Sequence, residues 1–349
     1  MQGRAVDLGS TAAKLVDDPT GALDALTERS GLEFPYIRRT RDFTRAAIQE
    51  KRGMLAGTAT PTGTSIVMFG SWARGELTPG SDDDWAIITE SEHDPVAVEQ
   101  ALEIARSALG GVGKQPGSQD LFGVHFDIAT LVDNIGLDAD LNRNMTRRML
   151  FLLESMELSG DIHADCWSAV LDRYLRFGIK DFRPPRFLLN DLVRYWRTIC
   201  VDFEGKHAAT GTDDPKWLTR NAKLRISRKL LFAGGLIPIL LCRVKTVDQM
   251  SGFLTAWLTS PPTDRLAAAF VQLDAVEPGA RSLAAYDRWL AIMLDEPARE
   301  ELLQLRAADR YRSELWQEIR TIGDELQRGL ISLLFDSPLR SVTPQYGMF

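Results

Sequence analysis

The 349-residue chain reads as an α/β (α+β) protein: a lobe built on a small mixed sheet, followed by a helical lobe. Three observations predict this. Two short apolar runs, Ser65-Ile66-Val67-Met68-Phe69 and Trp85-Ala86-Ile87-Ile88, flank a turn rich in Gly, Ser, Pro and Asp. A third β-like run covers Gly123 to Val132. Beyond it the apolar spacing turns helical and stays so to about Leu334.

In chain order, residues 1 to about 35 suggest two weak helices joined by a turn. From Arg41 to Leu55, Phe43, Ala46, Ala47 and Met54 alternate helically with Arg45, Glu50, Lys51 and Arg52, which predicts an amphipathic helix lying across the sheet. Thr58 to Thr64 is a polar linker into the first strand. Gly70-Ser71 breaks that strand and opens a helical turn, whose backbone N–H groups, with the Ser71 hydroxyl, suit a phosphate. Thr78-Pro79-Gly80-Ser81 then turns the chain into the second strand. Strand side chains alternate, so Asp82 and Asp84 share one face and Asp83 points to the other.

A helix follows from His93 to Leu109, begun by Asp94-Pro95, with Val98, Leu102, Ile104 and Ala105 on its apolar side. Gly110-Gly111-Val112-Gly113-Lys114-Gln115 invites comparison with a P-loop, but that pattern needs Gly at 108 and Ser or Thr at 115. Ala108 and Gln115 stand there, so a flexible loop is expected. Asp127 falls inside the third β-like run, and a strand buried among apolar neighbours rarely carries an aspartate without a partner. Leu141 to Leu158 reads as a helix ended by Ser159-Gly160-Asp161. This gives a helical leader over residues 1–60 packed on the sheet-bearing lobe, a core over 61–140, a helical lobe over 141–335 and a mobile tail over 336–349.

The helical lobe has its own charge signature. Residues 173–229 hold fourteen Lys or Arg against six Asp or Glu, a local excess of eight in a chain whose net charge is −7. Phe187 to Glu204 reads as a helix with Arg194 and Arg197 three apart. Lys216 to Leu231 reads as a second, with Lys216, Arg220, Lys223 and Ser227 on one face and Leu224, Leu230 and Leu231 toward a core. Gly234-Gly235-Leu236-Ile237-Pro238 is expected to end it. Pro261-Pro262 and Glu277-Pro278-Gly279 mark loops, and Trp257, Trp289 and Trp316 look like core.

Overall composition narrows the field. With 44% hydrophobic and 26% charged residues the chain is an ordinary globular one, and its net negative charge argues against a general polyanion binder. It shows no membrane-span pattern and no secretion signal, so no membrane insertion is expected. Cys166, Cys200 and Cys242 are isolated, which fits a reducing cytoplasm. His125 and His163 lack partners at ligand spacing and read as structural; a zinc site is not expected.

Two carboxylates as close as Asp82 and Asp84 repel unless a cation lies between them, and a hard divalent ion is the natural candidate. A strand, Gly70-Ser71, ten further residues and Asp82-Asp83-Asp84 resemble the signature of the DNA polymerase β superfamily of nucleotidyltransferases, over about 65 residues. The resemblance implies that 61–140 is the catalytic core, that two magnesium or manganese ions are bound, and that Asp82 and Asp84 ligate them. It also implies a third carboxylate from a later strand, for which Asp127 is the first choice and Asp133 or Asp120 the alternatives. Gly70, Ser71, Arg74 and Ser81 become nucleotide-binding candidates. Basic residues of a helical lobe meet the β- and γ-phosphates in that superfamily, which singles out Lys223, then Arg220, then Arg194 or Arg197.

A narrower likeness rests on Asn190-Asp191-Leu192-Val193-Arg194-Tyr195-Trp196-Arg197 and Arg220-Asn221-Ala222-Lys223. With the lobe before them, these segments resemble the Hailong-type nucleotidyltransferases of bacterial anti-phage defence. That likeness implies a (d)NTP substrate, a short DNA product primed on a C-terminal tyrosine, here Tyr346, and an effector protein under its control. Two other functions share the same lobe: a modifier that places a nucleotide on a protein or tRNA, and a non-catalytic nucleotide sensor.

Overall fold

The computed structural model describes residues 17–90, 92–109, 121–210 and 216–347. The Gly110–Gln115 loop and Asp120 therefore lie outside the described residues. The chain divides into two compact units. One runs from Arg38 to Phe177, and the other joins the segment ending at Ile37 to Gly178 onward. These boundaries differ from the sequence expectation, and each unit is described by itself.

In the Arg38–Phe177 unit, four strands form one mixed sheet in the order β3-β2-β1-β4. They are β1 (Thr64–Phe69), β2 (Trp85–Thr89), β3 (Val124–Asp127) and β4 (Ser155–Gly160). β1 is antiparallel to β2 and β4, whereas β2 and β3 are parallel. Ile66, Met68, Trp85, Ile87 and Leu158 form a buried cluster with Ala101, Ala105 and Leu109 of the helix Pro95–Leu109 and Leu55 of the helix Pro35–Leu55. The alternate residues Val67, Ala86 and Ile88 are also fully buried, which is why β1 and β2 are continuous apolar runs rather than alternating ones. The helix Pro95–Leu109 starts as the sequence predicts: Asp94 accepts the Val96 N–H at 2.9 Å.

β4 corrects the expectation of one helix from Leu141 to Leu158. The helix ends at Glu154, and Ser155–Gly160 pairs with the free side of β1. Its period of two, with Met156 and Leu158 toward the core, satisfies backbone groups that β1 would otherwise leave unpaired. Gly160 is needed where the strands meet: at φ 127° its hydrogen faces Ser65, and a Cβ there would lie 2.5 Å from the Ser65 Cα. The third run is shorter than expected, because Asp127 accepts the Thr130 N–H at 2.7 Å and caps a helical turn, Ile128–Val132. Arg148, fully buried, ties this region together with a two-pronged ion pair to Asp140 at 2.6 and 2.8 Å and hydrogen bonds to Tyr174 and the Leu131 carbonyl.

The other unit is helical. The leader helix Ala22–Ser30 packs on Pro262–Gln272 and Val276–Leu294 of this unit. Within the leader, the part that packs with the sheet core is the helix Pro35–Leu55, through Ala47, Ile48 and Leu55. Gly234 to Pro238 does not separate two helices but lies inside one, Lys229–Leu241. The helix interior penalty of about 1 kcal/mol per Gly and 3 for Pro is outweighed by burial of nearly every residue from Leu230 to Leu241. Likewise, Pro262 and Pro278 sit in first helical turns, where a missing N–H costs nothing. Trp257, Trp289 and Trp316 are buried, as expected. The tail is ordered helical turn from Ser332 to Gly347, because Leu333, Leu339, Val342 and Thr343 are buried. Among the described residues no helix is long and apolar enough to cross a membrane.

Candidate active site

The C-terminal end of β1, the start of β2 and the start of β4 meet at one end of the sheet. Phe69 donates its N–H to the Asp84 carbonyl at 2.8 Å, so the β1–β2 ladder extends to Asp84. Gly70 follows at φ 66° and ψ −131°, a conformation effectively reserved for glycine. A Cβ there would lie 3.6 Å from the Asp84 Oδ2. Gly70 makes the sharp turn out of β1 and brings the backbone close to the Asp84 carboxylate and the Arg74 guanidinium. Ser71–Arg74 is a single helical turn, with Gly75 in the left-handed region closing it.

The three aspartates, which precede β2 rather than lie in it, differ in burial. Asp83 is buried and accepts a hydrogen bond from the buried Trp72 Nε1 at 3.2 Å, while Asp82 is exposed and Asp84 half-buried. Trp72 therefore holds the middle carboxylate inward. Ser81 closes the preceding turn: its hydroxyl accepts the Thr78 N–H at 3.0 Å, and its own N–H reaches the Thr78 carbonyl at 2.9 Å.

Arg74 is lodged rather than free. Its Nε lies 2.7 Å from Glu76, its Nη1 is bound to Glu154, and its side chain is only 16% exposed. Glu154 is the last residue before β4, and its carbonyl accepts the Gly70 N–H at 3.2 Å. The arginine thus clamps the Gly-Ser turn to the end of the helix Asn142–Glu154. Sequence reasoning missed both carboxylates. Glu76 was legible two residues after Arg74, but nothing local announces Glu154, eighty residues away.

Asp127, expected as the third carboxylate, lies apart from the Asp82–Asp84 stretch. The parallel register pairs it with Thr89, not with Asp84. Five strand residues separate those positions, roughly 16 Å at 3.3 Å per residue, so Asp127 stands at the opposite end of the sheet. Its carboxylate caps a helical turn there. Among the described residues no three His, Cys, Asp or Glu side chains come together as a metal cluster. Asp82 and Asp84 still suit one hard divalent ion, since two carboxylates completed by substrate phosphate oxygens are a usual magnesium donor set. Among the described residues Asp127 does not join Asp82 and Asp84 in a three-carboxylate set, and the alternative Asp120 lies outside the described residues.

The histidines are occupied in the fold. His125 Nε2 lies 2.9 Å from the Thr89 hydroxyl, and its ring meets His93 edge-on; burial and then His93 hold it below the ordinary histidine range. His163 is hydrogen-bonded to Ser155 at 2.8 Å and is lowered by burial. Burial pushes the Cys166 thiol up to about 12, so it stays protonated.

In the helical unit, Arg220 and Lys223 line a shallow, open pocket together with Ile199, Asp202, Phe203, Lys206, Leu224 and Arg228. A wide helical turn at Leu224–Arg228, with i to i+5 spacing, interrupts the helix between Trp217–Lys223 and Lys229–Leu241. It moves Arg228 onto the pocket and turns Ser227 inward, where its hydroxyl accepts the Trp289 Nε1 at 2.8 Å. Ser227 thus leaves the basic face on which regular spacing placed it. Arg194 lies 3.8 Å from Asp191 and Arg197 is exposed; neither lines the pocket.

Fold and site define an α/β lobe in which a Gly-Ser turn, Asp82 and Asp84 share one end of the sheet. Residues 57–133 match the family model described as a nucleotidyltransferase domain. The match takes in Gly70, Ser71, Asp82, Asp84 and Asp127, and it supports nucleotidyl transfer as the general chemistry. No curated protein matches the chain.

Proposed function

We propose that this protein is a divalent-metal-dependent nucleotidyltransferase that moves a nucleoside monophosphate from an NTP or dNTP to a hydroxyl. The observation that carries this is the Asp84 carboxylate standing against the Gly70 turn, inside the stretch that matches a nucleotidyltransferase domain. The acceptor oxygen forms a bond to the α-phosphorus, the bridge to the β-phosphate breaks, and pyrophosphate leaves with the electron pair. The acceptor proton passes to a carboxylate of the pair or to solvent.

Asp82 and Asp84 are the residues that would hold magnesium or manganese, which when bound acidifies the acceptor hydroxyl and neutralises phosphate charge. The Gly70-Ser71 turn is the candidate phosphate cradle, with the Ser71 hydroxyl as a donor. The Arg74–Glu76–Glu154 clamp and the Trp72–Asp83 bond hold the turn in place without touching substrate, a preorganised arrangement. Lys223 and Arg220 remain the candidates for the polyphosphate, with Arg228 adding charge to the same pocket, where Lys206 is paired with Asp202 at 2.8 Å.

The finer reading rests on the resemblance to Hailong-type enzymes: an anti-phage defence role, a nucleotide or DNA-oligomer signal, and priming on Tyr346. Tyr346 is half-buried in the last helical turn and donates its N–H to the Val342 carbonyl at 3.0 Å, so its use as acceptor requires that turn to open. Mass spectrometry of the tail peptide tests it, since a nucleotide ladder supports self-priming and an unmodified tail in active protein rejects it. The main reading is tested by incubating the chain with each α-labelled NTP and dNTP. Label should enter product, and Asp82→Ala with Asp84→Ala should remove it while the melting curve persists; undiminished labelling in that variant would sink the proposal.

A further inference from the structure

We propose that the helical unit carries a binding strip for single-stranded nucleic acid, running from the basic pocket past Phe203 and Trp217 to Tyr311. Phe203 lines the pocket, and its ring lies 6.3 Å from that of Trp217 at an interplanar angle of 33°. The Arg310 guanidinium comes next, 5.6 Å from the Trp217 ring and 4.3 Å from that of Tyr311. Arg320 sits 5.9 Å from Tyr311 on the helix Glu314–Ile331. Three rings and two guanidinium groups thus follow one another in contact, and the last ring, Tyr311, is 61% exposed.

A series of this kind suits a polynucleotide better than other anions. Every base has a π-face that stacks on an aromatic ring whatever its sequence, and interleaved guanidinium groups add cation–π contact and phosphate charge. An acidic peptide would use the cations and leave the rings idle. A single nucleotide would cover one ring of the three. The nearby acids have partners of their own: Asp202 is paired with Lys206 at 2.8 Å, Asp309 with Arg306 at 3.4 Å and Glu318 with Arg288 at 3.0 Å. Lys206 is thereby neutralised within the pocket, and the strip's charge rests on Arg220, Lys223, Arg228, Arg310 and Arg320. The proposal rests on the nucleotidyltransferase reading only for what the strand would be, an acceptor or a product; binding itself does not require transfer.

The test is fluorescence anisotropy of the full chain with labelled oligodeoxy- and oligoribonucleotides of about twelve residues, within the site sizes of such surfaces. A chelator is present so that no chemistry runs. Single strands should bind in preference to the matching duplex, and the two arms show whether DNA or RNA is the better occupant. Tyr311→Ala and Arg320→Gln, both at exposed positions, should each weaken binding roughly tenfold, with Tyr311→Phe restoring it. No binding, equal binding of duplex, or affinity unmoved by these changes overturns the strip. A chain that transfers nucleotides but holds no strand defeats this proposal alone. A chain that holds the strand yet transfers from no nucleotide defeats the nucleotidyltransferase reading alone.

Discussion

The carboxylate turn and the basic helix both gather charged side chains, but they are built in opposite ways. Gly70 to Asp84 is a continuous stretch whose geometry follows from local rules: a glycine-only turn and a tryptophan that fixes the middle carboxylate. The basic face at Lys223 depends on a wide turn at Leu224–Arg228 that no spacing rule anticipates, and on packing against residues far along the chain such as Trp289. Local sites survive translation from sequence to structure, whereas faces of long helices are re-aimed by their surroundings.

This contrast can be broken by substitution, beginning where the effect should be greatest. Gly70→Val forces a branched residue into φ 66° beside Asp84, and should cut transfer by about a hundredfold or more while costing about 1–3 kcal/mol of stability. Activity assays with thermal melts separate the two effects, and a fully active variant would show that the turn is not at the reaction centre. Lys223→Ala and Arg220→Ala should each raise KM for the nucleotide about tenfold, the scale of one lost charge-assisted bond at about 1.4 kcal/mol, with thermal melts separating that effect from any loss of stability. Unchanged KM in both would detach the basic pocket from the nucleotide.

Smaller effects sharpen the difference. Asp127→Ala removes a helix cap, so about 1 kcal/mol of stability should be lost in denaturant melts, with a smaller activity loss than any change at Asp84. Equal inactivation would mean that β3 pairs with β2 in another register during catalysis. His163 is held below 6.5 by burial, so the native state binds fewer protons than the unfolded chain. Its contribution is complete above the ordinary histidine pKa and declines as pH falls below it, and His163→Gln should flatten that slope in melts recorded on either side.

The sheet-bearing lobe was largely legible because its signals are short and local: two apolar runs, a breaking glycine and a Pro-Gly turn. β4 was not, since Ser155–Gly160 is only six residues long and directly follows a helix whose leucines mask the change of period. Asp127 was read as a ligand because an aspartate in a strand needs a partner; its partner is the Thr130 N–H, which only the three-dimensional register reveals. Arg74 was legible as a residue of the turn, but not as one held between Glu76 and Glu154. Gly234 and Pro238 were read as breakers because propensity disfavours them, and burial of the whole helix around them overrides that preference.

The account turns on Asp84, and Asp84→Asn examines it with the least disturbance of shape. Purified chain and variant are compared for pyrophosphate release and nucleotide incorporation with magnesium present, alongside a thermal melt. The prediction is that release and incorporation match mole for mole in the original chain and fall together by about a hundredfold or more in the variant, at an unchanged melting temperature. Full pyrophosphate release and incorporation by a folded Asp84→Asn chain would contradict it.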